Sequence, residues 1–418
     1  MSDVTRGRNA IPINSGRLWA RHMQLAQIGA IGETGNCRLA LSDEDTQARN
    51  LFAGWCRDAG LVLHSDRAGN MFAVRRGREP DRAIVAAGSH LDTQPHGGRF
   101  DGISGVLAAL EVVEALNDAG VETDAPLAVI NWTNEEGVRF APGLLGSNWY
   151  AGAIDDVTLD GIRAADGVGF ADEAARSGWL GVMRPADLPM DSFFELHIEQ
   201  GPVLENAGVQ VGVVTAVQGL QWLDVAVTGM DGHAGTTPLD GRRDALLAAA
   251  AMLVAINDAG RSEGSEARVS VGRLVPATDG PSTIVGAVEF VIDIRHPDIE
   301  VLERLQAACT DQCQRKAAQY GCTAVVSRRL SVPPREFDAD CIAAVQNAAD
   351  ELGFTNRKIA SGALHDASNI AAMVPTTMIF VPCRDGISHN IDEYASPEDL
   401  AAGCEVLLHA MLSRAGLS

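Results

Sequence analysis

Short apolar runs alternate with amphipathic stretches along the first half of the chain. Runs at 71–74, 83–87 and 126–132 read as strands. Ahead of them, Asn14 or Ser15 can open a helix that carries Leu18, Leu25 and Ile28. Ser42 opens a second; Asp43, Glu44 and Asp45 complement its positive end, and Gly60 closes it. Between the last two runs, Ile103, Val106, Leu107, Leu110 and Val113 fall on one face of a helix at about 102–119. Apolar strands alternating with helices predict a mostly parallel sheet covered on both faces.

The pattern changes near residue 219. Residues 221–228 and 287–295 alternate as half-buried antiparallel strands do, with Val288, Phe290, Ile292 and Ile294 on one face. Helices at about 242–258 and 298–320 interleave with them, the order of a ferredoxin-like α+β sandwich. After about 330 the α/β pattern returns, ending in a helix opened by Ser396-Pro397-Glu398-Asp399. The expected architecture is therefore α/β. A mostly parallel-sheet domain, residues 1–218 and 330–418, is interrupted by an inserted ferredoxin-like domain at 219–329.

The chain has 418 residues, enough for two or three domains at roughly 150 residues each. Its 33 basic and 55 acidic side chains give a formal charge of −22, which disfavours nucleic acid and anionic membranes as partners. The eight cysteines form no C-x-x-C pair, so reduced thiols in a cytoplasm are expected. No signal-peptide core is visible at the N-terminus, and no apolar run approaches the ~18 residues of a membrane span.

Five segments carry candidate chemistry. Gly88-Ser89-His90-Leu91-Asp92-Thr93 follows the run 83–87, at the strand end where open α/β sheets hold their sites. Arg99-Phe100-Asp101-Gly102 leads into a helix; alone, Asp101 reads better as an N-cap. In Asn134-Glu135-Glu136-Gly137, after the run 126–132, the paired carboxylates suit one on a metal and one free as a base. ELHIEQG, residues 195–201, lies on an apolar strand where His197 and Glu199 share a face; alone, His197 is as well read as a satisfied core histidine. Ser388-His389-Asn390 follows the strand-like run 376–381. Together these histidines and carboxylates suit zinc, manganese or cobalt. The absence of H-E-x-x-H, G-x-S-x-G, a P-loop and a convincing G-x-G-x-x-G lowers zincin, serine-hydrolase, NTPase and dinucleotide readings.

In this order, GSHLDT, GGRFDGISGVLAALEV, TNEEGVRFAPGLLGS, ELHIEQGPVLE, GHAGTTP and IFVPCRDGISHN resemble one enzyme family. It is the N-carbamoyl-L-amino acid hydrolase, allantoate amidohydrolase and β-ureidopropionase family, within the zinc aminopeptidase and carboxypeptidase superfamily. The resemblance spans residues 16 to 410 or so. It implies a metal-dependent hydrolase of non-peptide C–N bonds, with two divalent ions (Zn, Mn or Co) on the large domain. The smaller domain is implied to serve dimerisation and closure over a small-molecule substrate. The implied ligands are His90, Asp101, Glu136, His197 and His389, with Asp101 bridging. Glu135 is the implied general base, and Asp92 the residue that orients His90. His233 is implied to stabilise the oxyanion from the small domain or a partner subunit. Arg295 is implied to grip a substrate carboxylate, with pairing to an acidic neighbour across the sheet as the plain alternative. Gln200 is implied to contact substrate or support His197.

Four positions depart from the resemblance. Leu220 stands where the family usually has Gln, Ser282 where it has Asn, and Cys383 where it has Ser. In Gly362-Ala363-Leu364, Leu364 replaces a Gly. These changes imply a substrate with fewer polar groups or a bulkier apolar body. The leading expectation is hydrolysis of an N-carbamoyl-L-amino acid or related ureido acid. The alternatives are another C–N bond, in an N-acyl amino acid amide or an aromatic amine, and a non-catalytic binding protein on this fold. Loss of Glu135 or of two ligands would mark the last, and neither is lost.

Overall fold

The computed structural model describes residues 11–417. Local signals open the helices. Asn14 accepts from the Arg17 N–H at 2.9 Å to cap α1 (Ser15–Leu25), and Ser42 accepts from Asp45 to cap α2 (Asp43–Asp58). The other principal helices are α3 (Ile103–Asp118), α4 (Ala245–Ser262), α5 (Ile299–Gln319), α6 (Asp366–Ile370) and α7 (Pro397–Ala415). The principal strands are β1 (Val62–Ser65), β2 (Met71–Arg75), β3 (Ile84–His90), β4 (Leu127–Trp132), β5 (Met190–Ile198) and β6 (Val211–Val217). They continue as β7 (Gly219–Thr228), β8 (Arg268–Pro276), β9 (Ala287–His296), β10 (Thr323–Val332), β11 (Asn356–Ser361) and β12 (Thr376–Val381). The chain divides into two compact units, one formed by the segments up to 215 and from 337 onward, the other by 216–336.

The first unit is built on a sheet in the order β6-β12-β5-β3-β4-β2-β1, with β11 also paired to β6. Its central four strands, β12, β5, β3 and β4, are mutually parallel. Both flanks are antiparallel: β6 against β12, β2 against β4, and β1 against β2. The sheet is thus mixed rather than mostly parallel. For β1 and β2 the reason is local, because the short link between them can join only antiparallel neighbours. Asp66 ties that link by accepting from the Ala68 and Asn70 amides. All residues of β3, β4 and β12 are buried, as strands covered on both faces must be. Helix α3 buries Ile103, Val106, Leu107, Leu110 and Val113, and α7 packs Leu400, Val406, Leu407 and Met411 into the same core.

The second unit has the chain order β7-α4-β8-β9-α5-β10, and its strands lie β8-β9-β7-β10, all antiparallel. This is the βαββαβ arrangement of ferredoxin-like folds. Val288, Phe290, Ile292 and Ile294 face the helices and are buried with Leu223, Val225, Val227, Met252 and Leu305. By length and composition α4 alone among the described helices is apolar enough to cross a membrane. Its Ala245, Ala248, Ala249, Met252 and Ile256 are buried in this unit's core.

Candidate active site

Each of the four parallel strands delivers chemistry from its C-terminal end. His90 ends β3, His197 is the penultimate residue of β5, and Glu135 and Glu136 follow β4. Ser388 and His389 lie in the loop after β12. Asp101 comes from the turn that starts α3. Parallel strands point the same way, so their loops converge on one edge of the sheet.

Asp101 is the shared centre of this cluster. Its Oδ1 lies 3.1 Å from His197 Nε2 and 3.6 Å from His90 Nε2. Its Oδ2 lies 3.4 Å from His389 Nε2, which is in turn 3.6 Å from Glu136 Oε2. The donors thus form two groups, His90–Asp101–His197 and Asp101–Glu136–His389, each compact enough to hold a metal ion. The Nδ1 atoms of His90 and His197 face the carbonyls of Asp92 and Ile198 at 2.9 and 2.8 Å. A carbonyl only accepts, so each Nδ1 carries a proton and Nε2 is the ring atom turned toward Asp101.

Backbone geometry is specialised here. Gly102 has φ +69°, and a Cβ there would fall 2.3 Å from the His90 ring, so the close approach of this turn to His90 requires glycine. Asn134, Gln200 and His389 adopt left-handed conformations without being glycine, at φ 59°, 57° and 54°. Such residues cost stability and persist where surrounding contacts hold them. Asn134 is held by its side chain, which donates to Phe140 O at 2.7 Å. Gln200 is held by donation to Asp101 Oδ2 at 2.7 Å, so it supports Asp101 rather than His197.

Electrostatics show an excess of buried carboxylate. Burial, then the neighbouring Glu136, Asp366, Asp101 and Asp92, hold the Glu135 carboxyl well above its ordinary range. Burial and Asp101 push Glu136 up to about 8. Burial keeps His90 neutral, at about 4. Burial opposes charge on His197 too, but Asp101 overcomes it and lifts that ring to about 9.

Asp92 meets His90 through its backbone. It is the Asp92 carbonyl that orients His90. The carboxylate receives the Glu135 and Glu136 amides at 3.3 and 3.2 Å and stands 4.0 Å from His90 Nδ1. Glu199 does not share the site with His197 either. Its carboxylate accepts the Val203 and Leu204 amides at 2.8 Å each, capping a short helix. The carboxylate of β5 itself that lies beside His197 is Glu195, fully buried, with Ser89 Oγ donating to it at 2.6 Å and the Ala367 amide at 2.8 Å. Strand alternation pairs His197 with either neighbour, and only the fold selects one.

Further site residues carry no such periodic signal. Gln94 donates to Glu136 at 2.6 Å. His365 stacks edge-on against His197 at 4.5 Å between centroids, and its Nε2 meets Ser361 Oγ at 2.9 Å. Gly362, Ala363 and Leu364 form the turn leading to it, with Gly362 exposed and the other two half-buried. Cys383 is buried, its thiol directed to Gly201 O.

The other residues that the sequence singles out lie in the second unit. His233 is exposed, and its Nδ1 accepts from the Gly235 and Thr236 amides at 3.1 Å each, so its proton resides on Nε2. Ser282 O accepts from Ala234 at 2.9 Å, holding the same turn. Arg295 pairs with Asp293 through Nε and Nη2, both at 3.0 Å. That acidic neighbour lies two residues back on its own strand, not across the sheet. Leu220 is buried directly opposite Arg295 on β7.

Residues 86–413 match Peptidase family M20/M25/M40. The chain belongs to this family. An N-carbamoyl-L-amino-acid amidohydrolase of Rhizobium meliloti is 41% identical over 403 residues, covering 96% of this chain and 97% of that one. A ureidoglycolate hydrolase of Oryza sativa subsp. japonica is 35% identical over 388 residues, covering 90% and 79%. The crystal structure of a hydantoinase/carbamoylase family amidase from Burkholderia multivorans superposes with a TM-score of 0.93 at 44% identity, covering 97% and 99%. Within the M20/M25/M40 family, then, this chain aligns over nearly its whole length with enzymes named for non-peptide C–N hydrolysis.

Proposed function

We propose that this chain is a metal-dependent amidohydrolase that cleaves the ureido C–N bond of an N-carbamoyl-L-amino acid or a related ureido acid. The observation that carries the reading is the division of one carboxylate, Asp101, between two donor groups, with Glu135 Oε2 3.6 Å from His90 Nε2. The mixed imidazole and carboxylate set suits two borderline divalent ions such as zinc, manganese or cobalt. Buried carboxylates held above their ordinary range also fit a site completed by positive charge. His90, His197 and Asp101 would hold one ion, and Asp101, Glu136 and His389 the other. When bound, the ions supply Lewis acidity and an acidified water.

The chain's own residues then divide the work. Glu135 holds the proton lost by the attacking water and returns it to the leaving nitrogen as the tetrahedral intermediate collapses. A carbamoyl substrate and water leave as the amino acid, carbon dioxide and ammonia. His233, whose Nε2–H is a donor, suits the developing oxyanion. Arg295 suits the substrate carboxylate through a bidentate pair. Gln200 holds Asp101; Leu220 and Ser282 of the second unit and Gly362, Ala363 and Leu364 of the first are read as the residues that set side-chain preference. The second unit is read as the dimerisation and closing unit.

The test is a substrate panel on protein stripped by a chelator and reloaded with zinc, manganese or cobalt. Activity should vanish on stripping and return on reloading. A carbamoyl amino acid with an apolar or aromatic side chain should have a higher kcat/KM than allantoate. A buried polar group left without its partner costs ~1–3 kcal/mol, tenfold to over a hundredfold in specificity. Full activity without metal overturns the reading; a preference for allantoate overturns the inference drawn from Leu220, Ser282 and Leu364.

A further inference from the structure

We infer that Glu393 is a positioning residue that fixes the Asp101 turn against the loop bearing His389, and that this staple sets the affinity of the metal pair. The inference rests on the metal reading above. Glu393 is a buried carboxylate, 2% exposed, that approaches neither His90 nor His197 within ion-pair distance. Its Oε1 accepts from the Phe100 and Asp101 amides at 3.0 and 3.1 Å. Its Oε2 faces Ser388 Oγ at 3.0 Å. Asp101 and Ser388, which it joins, are separated by 287 positions in the chain; Asp101 belongs to the donor cluster and Ser388 adjoins His389.

Two further observations bear on the same contact. Ser388 Oγ also lies 2.7 Å from Asp101 Oδ2, so one hydroxyl proton is shared between the Asp101 and Glu393 carboxylates. Gln200 Nε2 reaches the same hydroxyl at 3.2 Å, which leaves Ser388 as acceptor from Gln200 and donor to one carboxylate. At Gly98, a Cβ would fall 2.2 Å from Glu393 Oε1 and 2.4 Å from its Cβ, so the chain makes room for Glu393 by lacking a side chain. Without Glu393, two buried amides lose their acceptor, and the Asp101 carboxylate loses its fixed distance to His389. Groups that orient metal ligands through hydrogen bonds commonly set affinity by ~10–100-fold.

The test compares wild type, Glu393→Ala, Glu393→Gln and Gly98→Ala. Each is stripped and titrated with zinc against a chromophoric chelator, and each is also followed by urea unfolding and steady-state kinetics. The wild type should bind two equivalents. Glu393→Ala should weaken one or both by ~10-fold or more and lower kcat by a similar factor, while KM changes far less. Glu393→Gln can still accept both amides through Oε1 and donate to Ser388 through Nε2, so it should stay within about threefold of wild type. Gly98→Ala displaces the carboxylate without removing it and should follow Glu393→Ala, which keeps the test open if the latter fails to fold. Unchanged zinc affinity in both Glu393→Ala and Gly98→Ala overturns the inference, as does a Gln variant as impaired as the Ala variant. A wild type that binds no zinc overturns the metal reading itself, and this inference with it.

Discussion

Glu135 lies just past the end of β4, where burial first and then repulsion from four other carboxylates raise its pKa. Both effects hold its proton more tightly than an exposed glutamate would, which moves the group toward the range a general base needs near neutral pH. Glu135→Gln keeps the size and cannot take the proton. It should lower kcat ~10²-fold or more, with metal content by elemental analysis unchanged. His22 offers a prediction away from the site. Its ring is buried, with Leu18 O 2.9 Å from Nδ1, and burial holds it neutral down to about 4. The folded pKa lies below the unfolded value near 6.5, so the neutral ring's contribution is complete above pH 6.5. It is lost as pH falls from there through 4. The total is about 3 kcal/mol at 1.36 kcal/mol per pH unit. Urea unfolding of wild type and His22→Gln between pH 7.5 and 4 should show this part of the acid destabilisation absent from the variant.

At the scale of elements, the loops after β3 and β4 are fastened to each other by Asp92. One carboxylate satisfies two successive amides, at Glu135 and Glu136. Asp92→Asn retains one acceptor oxygen, so one of those amides loses its partner. The cost is about 1–3 kcal/mol, and it falls on the turn that carries Glu135. We expect a loss of kcat larger than the loss of thermal stability implies, with the His90 side little changed because its partner is the Asp92 carbonyl. Retained turnover in a folded Asp92→Asn would remove the clamp from the account. The strands and helices themselves were legible early. The apolar face of Ile103, Val106, Leu107, Leu110 and Val113 predicts a helix at about 102–119, and α3 runs Ile103–Asp118. The alternation at 287–295 returns as β9, with Phe290 and Ile292 buried and Glu289 exposed. Caps and periodicity are local properties, and local properties survive in sequence.

For the whole molecule, the second unit leaves apolar surface on α4. Leu247 is 52% exposed and Val254 65%, seven residues apart and so on one side of the helix. The edge strands β8 and β10 of its sheet are also unpaired on their outer sides among the described residues. We expect a homodimer through this unit, seen by light scattering. Leu247→Asp with Val254→Asp should shift it to monomer with the far-UV spectrum unchanged. A wild type that is monomeric at all working concentrations contradicts this assembly.

The chain's own pattern determined the succession of strands and helices, the ferredoxin-like order of the inserted segment, and the residue types at strand ends. These follow from periods of 2 and 3.6 and from capping groups within a few residues. Tertiary structure decided the rest. At one edge of the large sheet β1 runs antiparallel to β2 because a short link joins them, while β6 meets β12 antiparallel from far along the chain. Alternation left Glu195 and Glu199 equivalent, and Ser89 and the start of α6 selected Glu195 as the carboxylate beside His197. Asp92 could have faced His90 with its carboxylate, and two amides from the neighbouring loop drew that carboxylate away. Glu393 stood four residues after His389 with no period to mark it, until folding brought the Phe100 and Asp101 amides to its oxygens. A buried amide or carboxylate must find a partner, and nothing in its immediate sequence says from how far along the chain that partner comes.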